Sequence, residues 1–183
     1  MRTYVFIFIL VALQSCGLPY CKKHKFSEED VKWVNMYNIN DTILFYSSDN
    51  NEDTLIVKNK NMYNPLNTFL FDCRGCNWME GDNEFYAISS INFVLLHNGN
   101  KYDGRFAIEK TEKDLPAKIL LSLGGLYSKD YLNVYNNCVT LDRDNNADLG
   151  IYQDIIDLKK ISYSKENGIT TYQTISGRVY TKE

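Results

Sequence analysis

The sequence lacks a run of about twenty apolar residues, the length that carries a helix across the hydrocarbon of a bilayer. Its longest apolar stretch, Tyr4–Leu13, is too short to span and ends at Gln14. An excess of basic charge is also missing. Lys and Arg number 20 against 23 Asp and Glu, for a net charge of −3, and nucleic-acid binding calls for a basic face. No glycine-rich phosphate loop is present, since Gly124-Gly125 stands isolated. Histidine is scarce. His24 and His97 are the only two, neither falls in a metal-ligand spacing or a Ser-His or Cys-His arrangement, and both read as surface residues. Carboxylates are plentiful but gather in turns, where charge and side-chain-to-backbone hydrogen bonding account for them. There is no internal repeat and no interdomain linker, so a single domain is expected. Nothing in these patterns implies an enzyme or a cofactor.

What is present begins with an address. Met1-Arg2-Thr3 followed by the apolar run has the form of a secretory signal peptide over residues 1–15. The run ends in Leu13-Gln14-Ser15-Cys16, which resembles the lipobox of bacterial lipoproteins. That resemblance implies a diacylglyceryl group on the Cys16 sulfur, removal of the leader and acylation (palmitate-type) of the new amino terminus. Each buried methylene contributes about 0.8 kcal/mol, so several acyl chains would hold the protein durably on a membrane. Residues 16–25, with Lys22, Lys23 and Lys25, read as a lipidated tether, and residues 26–183 as one β-rich domain. In the lipoproteins that this motif resembles, an acidic stretch after the cysteine goes with export to the cell surface; none follows Cys16, so the resemblance implies the periplasmic face of the outer membrane.

Four further cysteines, Cys21, Cys73, Cys76 and Cys138, would then sit in an oxidising compartment and are first read as disulfide partners. Three pairings are possible, and sequence does not choose among them. Cys73-Arg74-Gly75-Cys76 has the spacing of a thiol oxidoreductase pair, with Arg74 available to stabilise a thiolate. The segment after it is a poor helix start, however, and no βαβ pattern surrounds it. A zinc site from the same four cysteines lacks a second close pair. Asp142, Asp144, Asn146 and Asp148 place oxygen atoms at alternate positions, like the first half of a calcium loop. Ala147 replaces the turn glycine and Gln153 the closing glutamate, so a solvated turn explains the pattern as well.

The residues from Phe26 to Tyr37 predict a short helix with Ser27 as N-cap, Asp30 three residues on, and Val31, Trp33, Val34 and Tyr37 on its buried stripe. Strand-like runs follow at 42–47, 54–60, 69–71, 85–97, 102–110, 118–123, 133–141, 161–164, 169–175 and 178–181. Polar turns lie between them at Ser48–Asp53, Asn98-Gly99, Asn167-Gly168 and Ser176-Gly177, while the stretch 114–131 is ambiguous. The fold class expected is mainly β (α+β): one short N-terminal helix, then an antiparallel β-meander forming a curved sheet, sandwich or partly open barrel.

Two stretches carry a resemblance. Ile151-Tyr152-Gln153-Asp154-Ile155-Ile156 with Lys160–Ile169, and Glu29–Trp33 with Asp41–Phe45, resemble the endings and openings of small uncharacterised Bacteroidetes-type lipoproteins. The resemblance implies a turn-and-packing signature and brings no catalytic residue. The function expected is therefore a lipid-anchored envelope module, non-enzymatic, binding a protein, glycan or lipid and no nucleic acid. The alternatives are a thiol-redox protein using Cys73 and Cys76, or a calcium-stabilised adhesion module.

Overall fold

The computed structural model describes residues 22–63, 84–149 and 157–183. Within them the chain forms strand β1 (Lys22–Lys23), helix α1 (Glu28–Asn35) and strands β2 (Thr42–Ser47), β3 (Glu52–Tyr63), β4 (Glu84–Phe85), β5 (Ala87–His97), β6 (Asn100–Lys110), β7 (Lys118–Leu123), β8 (Leu126–Ser128), β9 (Cys138–Asp142), β10 (Ala147–Leu149), β11 (Leu158–Ser164), β12 (Gly168–Thr174) and β13 (Val179–Lys182). β1 and β4 form a small parallel pair. The remaining eleven strands make one antiparallel sheet in the order β10-β8-β7-β6-β5-β3-β2-β13-β12-β11-β9. Its two outermost strands, β9 and β10, are consecutive in the chain and joined only through residues 143–146. The opposite edges are thus brought together by covalent connection, and the sheet curls into a nearly closed barrel.

Turn chemistry explains much of this meander. Asn98 and Gly99 both have positive φ (50° and 79°), the requirement of a two-residue hairpin turn whose twist matches its strands. The same device recurs where it was not anticipated. Gly124-Gly125 (55° and 84°) links β7 to β8, and Asn136-Asn137 (50° and 59°) closes a tight turn between Tyr135 and Cys138. The expected strand over 133–141 therefore starts only at Cys138, because asparagine tolerates left-handed backbone and turns the chain. The turn after β2 is likewise shorter than expected, and β3 begins at Glu52.

Alternation then sets the interior. Leu55, Val57, Ile91, Phe93, Leu95, Phe106, Ile108, Ile119, Leu121, Leu141, Ile161 and Tyr163 are all at most 1 % exposed. Gly104 has a particular role here. A Cβ at this position would fall 2.1 Å from the ring of Phe93, its direct partner on β5, so the missing side chain gives the ring its place.

Helix α1 stops one end of the barrel. Ser27 and Asp30 form the expected reciprocal capping box, and Trp33, Val34 and Tyr37 are buried. Trp33 stacks near Phe106 and Tyr163, whose rings lie parallel at 3.8 Å, and the Tyr163 hydroxyl donates to the Trp33 carbonyl at 2.8 Å. Tyr37 Oη accepts from the Ile169 amide at 2.8 Å. A β-bulge after Val57 turns Lys60 toward the helix, where its ammonium donates to the Tyr37 carbonyl and to Asn35, favourable for a cation at a helix C-terminus.

Candidate functional site

Chemically distinctive side chains gather in three places: the helix-capped end, the opposite rim, and the outer face between β3 and β8. At the capped end, Asp30 and Lys110 form a buried ion pair at 3.0 Å. Asp30 also accepts from Ser27 N (2.9 Å), Ser27 Oγ (2.7 Å) and the Ala117 amide (2.9 Å), while Lys110 donates further to the Leu115 carbonyl. Burial opposes ionisation of Asp30 most strongly, but the donors from Ser27, Ala117 and Lys110 outweigh it together, and its pKa lies below the ordinary carboxylate value. This arrangement ties helix α1 to β6 and the strand approach at Ala117. Its groups are consumed by one another, which is the signature of a structural lock.

At the opposite rim, Asp53 on β3 faces His97 on β5 and Tyr172 on β12. His97 Nδ1 lies 2.5 Å from Asp53 Oδ2, and the Tyr172 hydroxyl donates to the same oxygen. Asn98 Nδ2 lies 2.9 Å from His97 Nε2. A neutral imidazole with its proton on Nδ1 satisfies both contacts, since it donates to the carboxylate and accepts from the amide. Tyr172 stacks on Tyr180 at 4.8 Å, and His97 meets Tyr180 edge-on at 5.5 Å. Burial, then the Asp53 carboxylate, push the Tyr172 pKa well up. The Tyr180 hydroxyl is buried without a partner in hydrogen-bond geometry among the described residues, beside an Arg178 guanidinium that pairs with Asp49 at 2.8 Å.

Both histidines therefore correct the sequence reading: His24 and His97 are buried, 2 % and 8 % exposed. His24 stacks with Tyr86 at 5.8 Å. Asp53 likewise leaves the group of turn carboxylates, and Asp30, expected as a helix-capping residue, is buried as well. Period-two spacing was the available signal for the rim, because Asp53 shares a face with Leu55 and Val57, and His97 with Phe93 and Leu95. For Asp30 the signal was its place three and four residues before Trp33 and Val34.

Of the residues singled out for chemistry, Cys16, Cys21, Cys73 and Cys76 lie outside the described residues. Cys138 is an exposed thiol at the start of β9. Asp144 and Asn146 lie in the seam turn that joins the barrel's edges, between Asp142 at the end of β9 and Asp148 on β10, and their side chains are engaged there. Asn146 Oδ1 accepts from Asp142 N (2.7 Å) and its amide donates to the Thr140 carbonyl (2.9 Å), while Asp142 Oδ1 accepts from Asp144 N (3.0 Å). Asp148 pairs with Lys129 (3.2 Å) and Asp144 with Lys159 (3.5 Å). Among the described residues no group of three or more His, Cys, Asp or Glu is placed to hold a metal.

The outer face carries two adjoining concavities, of about 370 and 240 Å³, that share Arg105 and Ser122. The first is lined by Lys58, Asn92, Asp103 and Arg105 among others, the second by Ala107, Leu120 and Tyr127. Among the described residues, by contrast, the interior is filled by side chains. A ligand chamber would leave accessible surface on its walls, whereas Phe45, Phe93, Phe106, Tyr163, Tyr172 and Tyr180 have at most 1 %.

Fold and site together define a helix-stoppered antiparallel β-barrel with a packed interior and a polar groove on its outside. Comparison with known proteins finds no matching family model, curated protein or solved structure.

Proposed function

We propose that this chain is a lipid-anchored module of the bacterial cell envelope, held at Cys16, that binds its partner on the outer face of the barrel and carries out no catalysis. The observation that carries the binding half is the packed interior beside an open outer groove: a filled barrel offers ligands its surface only. The anchor half rests on Arg2, the apolar run and Leu13-Gln14-Ser15-Cys16. The same reading places the protein on the periplasmic face of the outer membrane.

Geometry is consistent with such an anchor. β1 at Lys22–Lys23 pairs with Glu84–Phe85, which lead directly into the helix-capped end of β5. Five residues lie between Cys16 and Lys22, a reach of at most about 20 Å when extended. A lipidated Cys16 would therefore hold the helix-capped end toward the bilayer, leaving the barrel wall and the Asp53–His97 rim accessible.

The test is fractionation of cells expressing the full chain, with metabolic labelling by a fatty acid. Wild-type protein is expected in the membrane fraction and labelled. Cys16→Ala is expected unlabelled, and either soluble or retaining its leader. A Cys16→Ala protein that still takes label and stays on the membrane would overturn the anchor.

A further inference from the structure

We infer that the outer groove is a binding site for an acidic oligosaccharide, with Arg105 as the carboxylate-binding residue. This rests on the surface-binding reading above and names its ligand. Register is the first support. Asn59 pairs with Asn92, Asn92 with Arg105, Arg105 with Ser122, and Ser122 with Tyr127. One outward row thus crosses five strands, and with neighbouring strands about 4.8 Å apart it is about 19 Å long. That length accommodates several sugar rings laid across the strands.

The bulge is the second support. Lys58 is the extra residue between Val57, paired with Phe93, and Asn59, paired with Asn92. Both Lys58 and Asn59 are exposed as a result, so an additional cation stands beside the row on the outside of the barrel. Bulges re-aim side chains in this manner, and they are enriched beside functional sites.

Third, the charged groups of the groove are uncommitted. Arg105, Asp103 and Lys58 make no side-chain hydrogen bond or ion pair among the described residues. The floor is kept low by short residues, Ala107 and Ser122. Tyr127, 42 % exposed, stands at the end of the row.

The chemistry matches a sugar carrying a carboxylate. A guanidinium fork engages a carboxylate by two parallel hydrogen bonds, and Lys58 adds charge without geometry. Asp103, Asn59, Asn92 and Ser122 supply the mixed acceptors and donors that hydroxyl groups need. Tyr127 offers a ring face to the apolar side of a pyranose. Two cations and one carboxylate leave the groove with one net positive charge, which favours an acidic over a neutral glycan.

The test uses the purified full chain in detergent and isothermal titration calorimetry. The probe is a hexasaccharide of alternating glucuronic acid and N-acetylglucosamine. Neutral chitohexaose and hexaglutamate serve as comparisons. Binding of the acidic glycan is expected, weaker for the neutral one and absent for the peptide. Arg105→Ala should weaken it at least about tenfold, the worth of a hydrogen bond to a charged group. Arg105→Lys should recover part of the loss, and Lys58→Ala should cost a few-fold and flatten the salt dependence. Both side chains point outward, so the variants should keep the wild-type unfolding midpoint, which confirms that lost binding is not lost folding. Absence of glycan binding at millimolar concentration overturns the inference. So does binding that Arg105→Ala leaves unchanged, or hexaglutamate binding as tightly as the glycan. Failure here with membrane retention intact sinks the glycan assignment alone, whereas loss of anchoring in the fractionation experiment leaves the titration result standing.

Discussion

Replacing Asp30 by asparagine should unfold the protein far more readily than an ordinary surface change, because the substitution strands a buried cation. The Lys110 and Asp30 side chains are 6 % and 5 % exposed and 3.0 Å apart. Breaking a buried pair by neutralising one partner costs about 3–5 kcal/mol, most of it the penalty of leaving the other charge uncompensated. Asparagine keeps an oxygen for the Ala117 amide and a partial cap, so Asp30→Asn should cost about 3 kcal/mol. Alanine also orphans the Ala117 N–H and removes half the capping box, which brings Asp30→Ala to about 4–5 kcal/mol. Against a total stability of about 5–15 kcal/mol that is a large fraction. Lys110→Met removes the cation while leaving Asp30 its three other donors, and should cost only about 1–2 kcal/mol. The decisive measurement is the double-mutant cycle by urea denaturation. In the Lys110→Met background Asp30→Asn should lose at least about 2 kcal/mol of its effect. An Asp30→Asn protein within about 1 kcal/mol of wild type, or a coupling under about 0.5 kcal/mol, would refute the reasoning. The pH dependence has a definite sign. The folded pKa of Asp30 lies below its ordinary 3.8, so this stabilisation is complete above that value and is lost as the pH falls through the lowered one. The wild type should therefore weaken in acid more steeply than Asp30→Asn.

Gly168→Ala should destabilise by about 3 kcal/mol or more, since a Cβ there meets the Tyr37 hydroxyl at 2.2 Å and the backbone is held at φ +70°. Gly99→Ala, with φ +79° and open space, should cost about 1 kcal/mol, and equal midpoints for the two variants would sink the packing account. Alkaline titration followed by tyrosinate absorbance should leave Tyr37, Tyr163 and Tyr172 un-ionised in the folded state. Burial is the largest cause for all three, and it pushes Tyr37 to about 12. Raised folded values give stabilisation that is full below the ordinary 10.0 and lost above it, so unfolding and the late tyrosinate signal should appear together. Complete titration near pH 10 with native circular dichroism retained would contradict this.

Much of the architecture was legible one residue at a time. The Ser27–Asp30 capping box, the Asn98-Gly99 turn and the limits of β2 and β7 were anticipated, because each depends on neighbours a few residues apart. The errors also have local causes. Asn136-Asn137 and Gly124-Gly125 form hairpin turns that the strand pattern alone does not mark, although their tolerance of positive φ is the required property. Ending the turn after β2 at Asp53 treated its charge as a reason for exposure. A carboxylate is buried readily when donors await it, and those donors lie 44 and 119 residues away.

The sequence by itself determined the mainly-β class, the short helix ahead of the strands and the antiparallel meander. These follow from periodicity, caps and turn residues, which act over a few positions. Only the tertiary structure decided which residues meet: Asp30 with Lys110 and Ala117, Asp53 with His97 and Tyr172, and the outward row from Asn59 to Tyr127. The physical reason is closure. Once the edges are joined through 143–146, strand register sets every cross-strand neighbour, and one bulge at Lys58 shifts which face a side chain occupies.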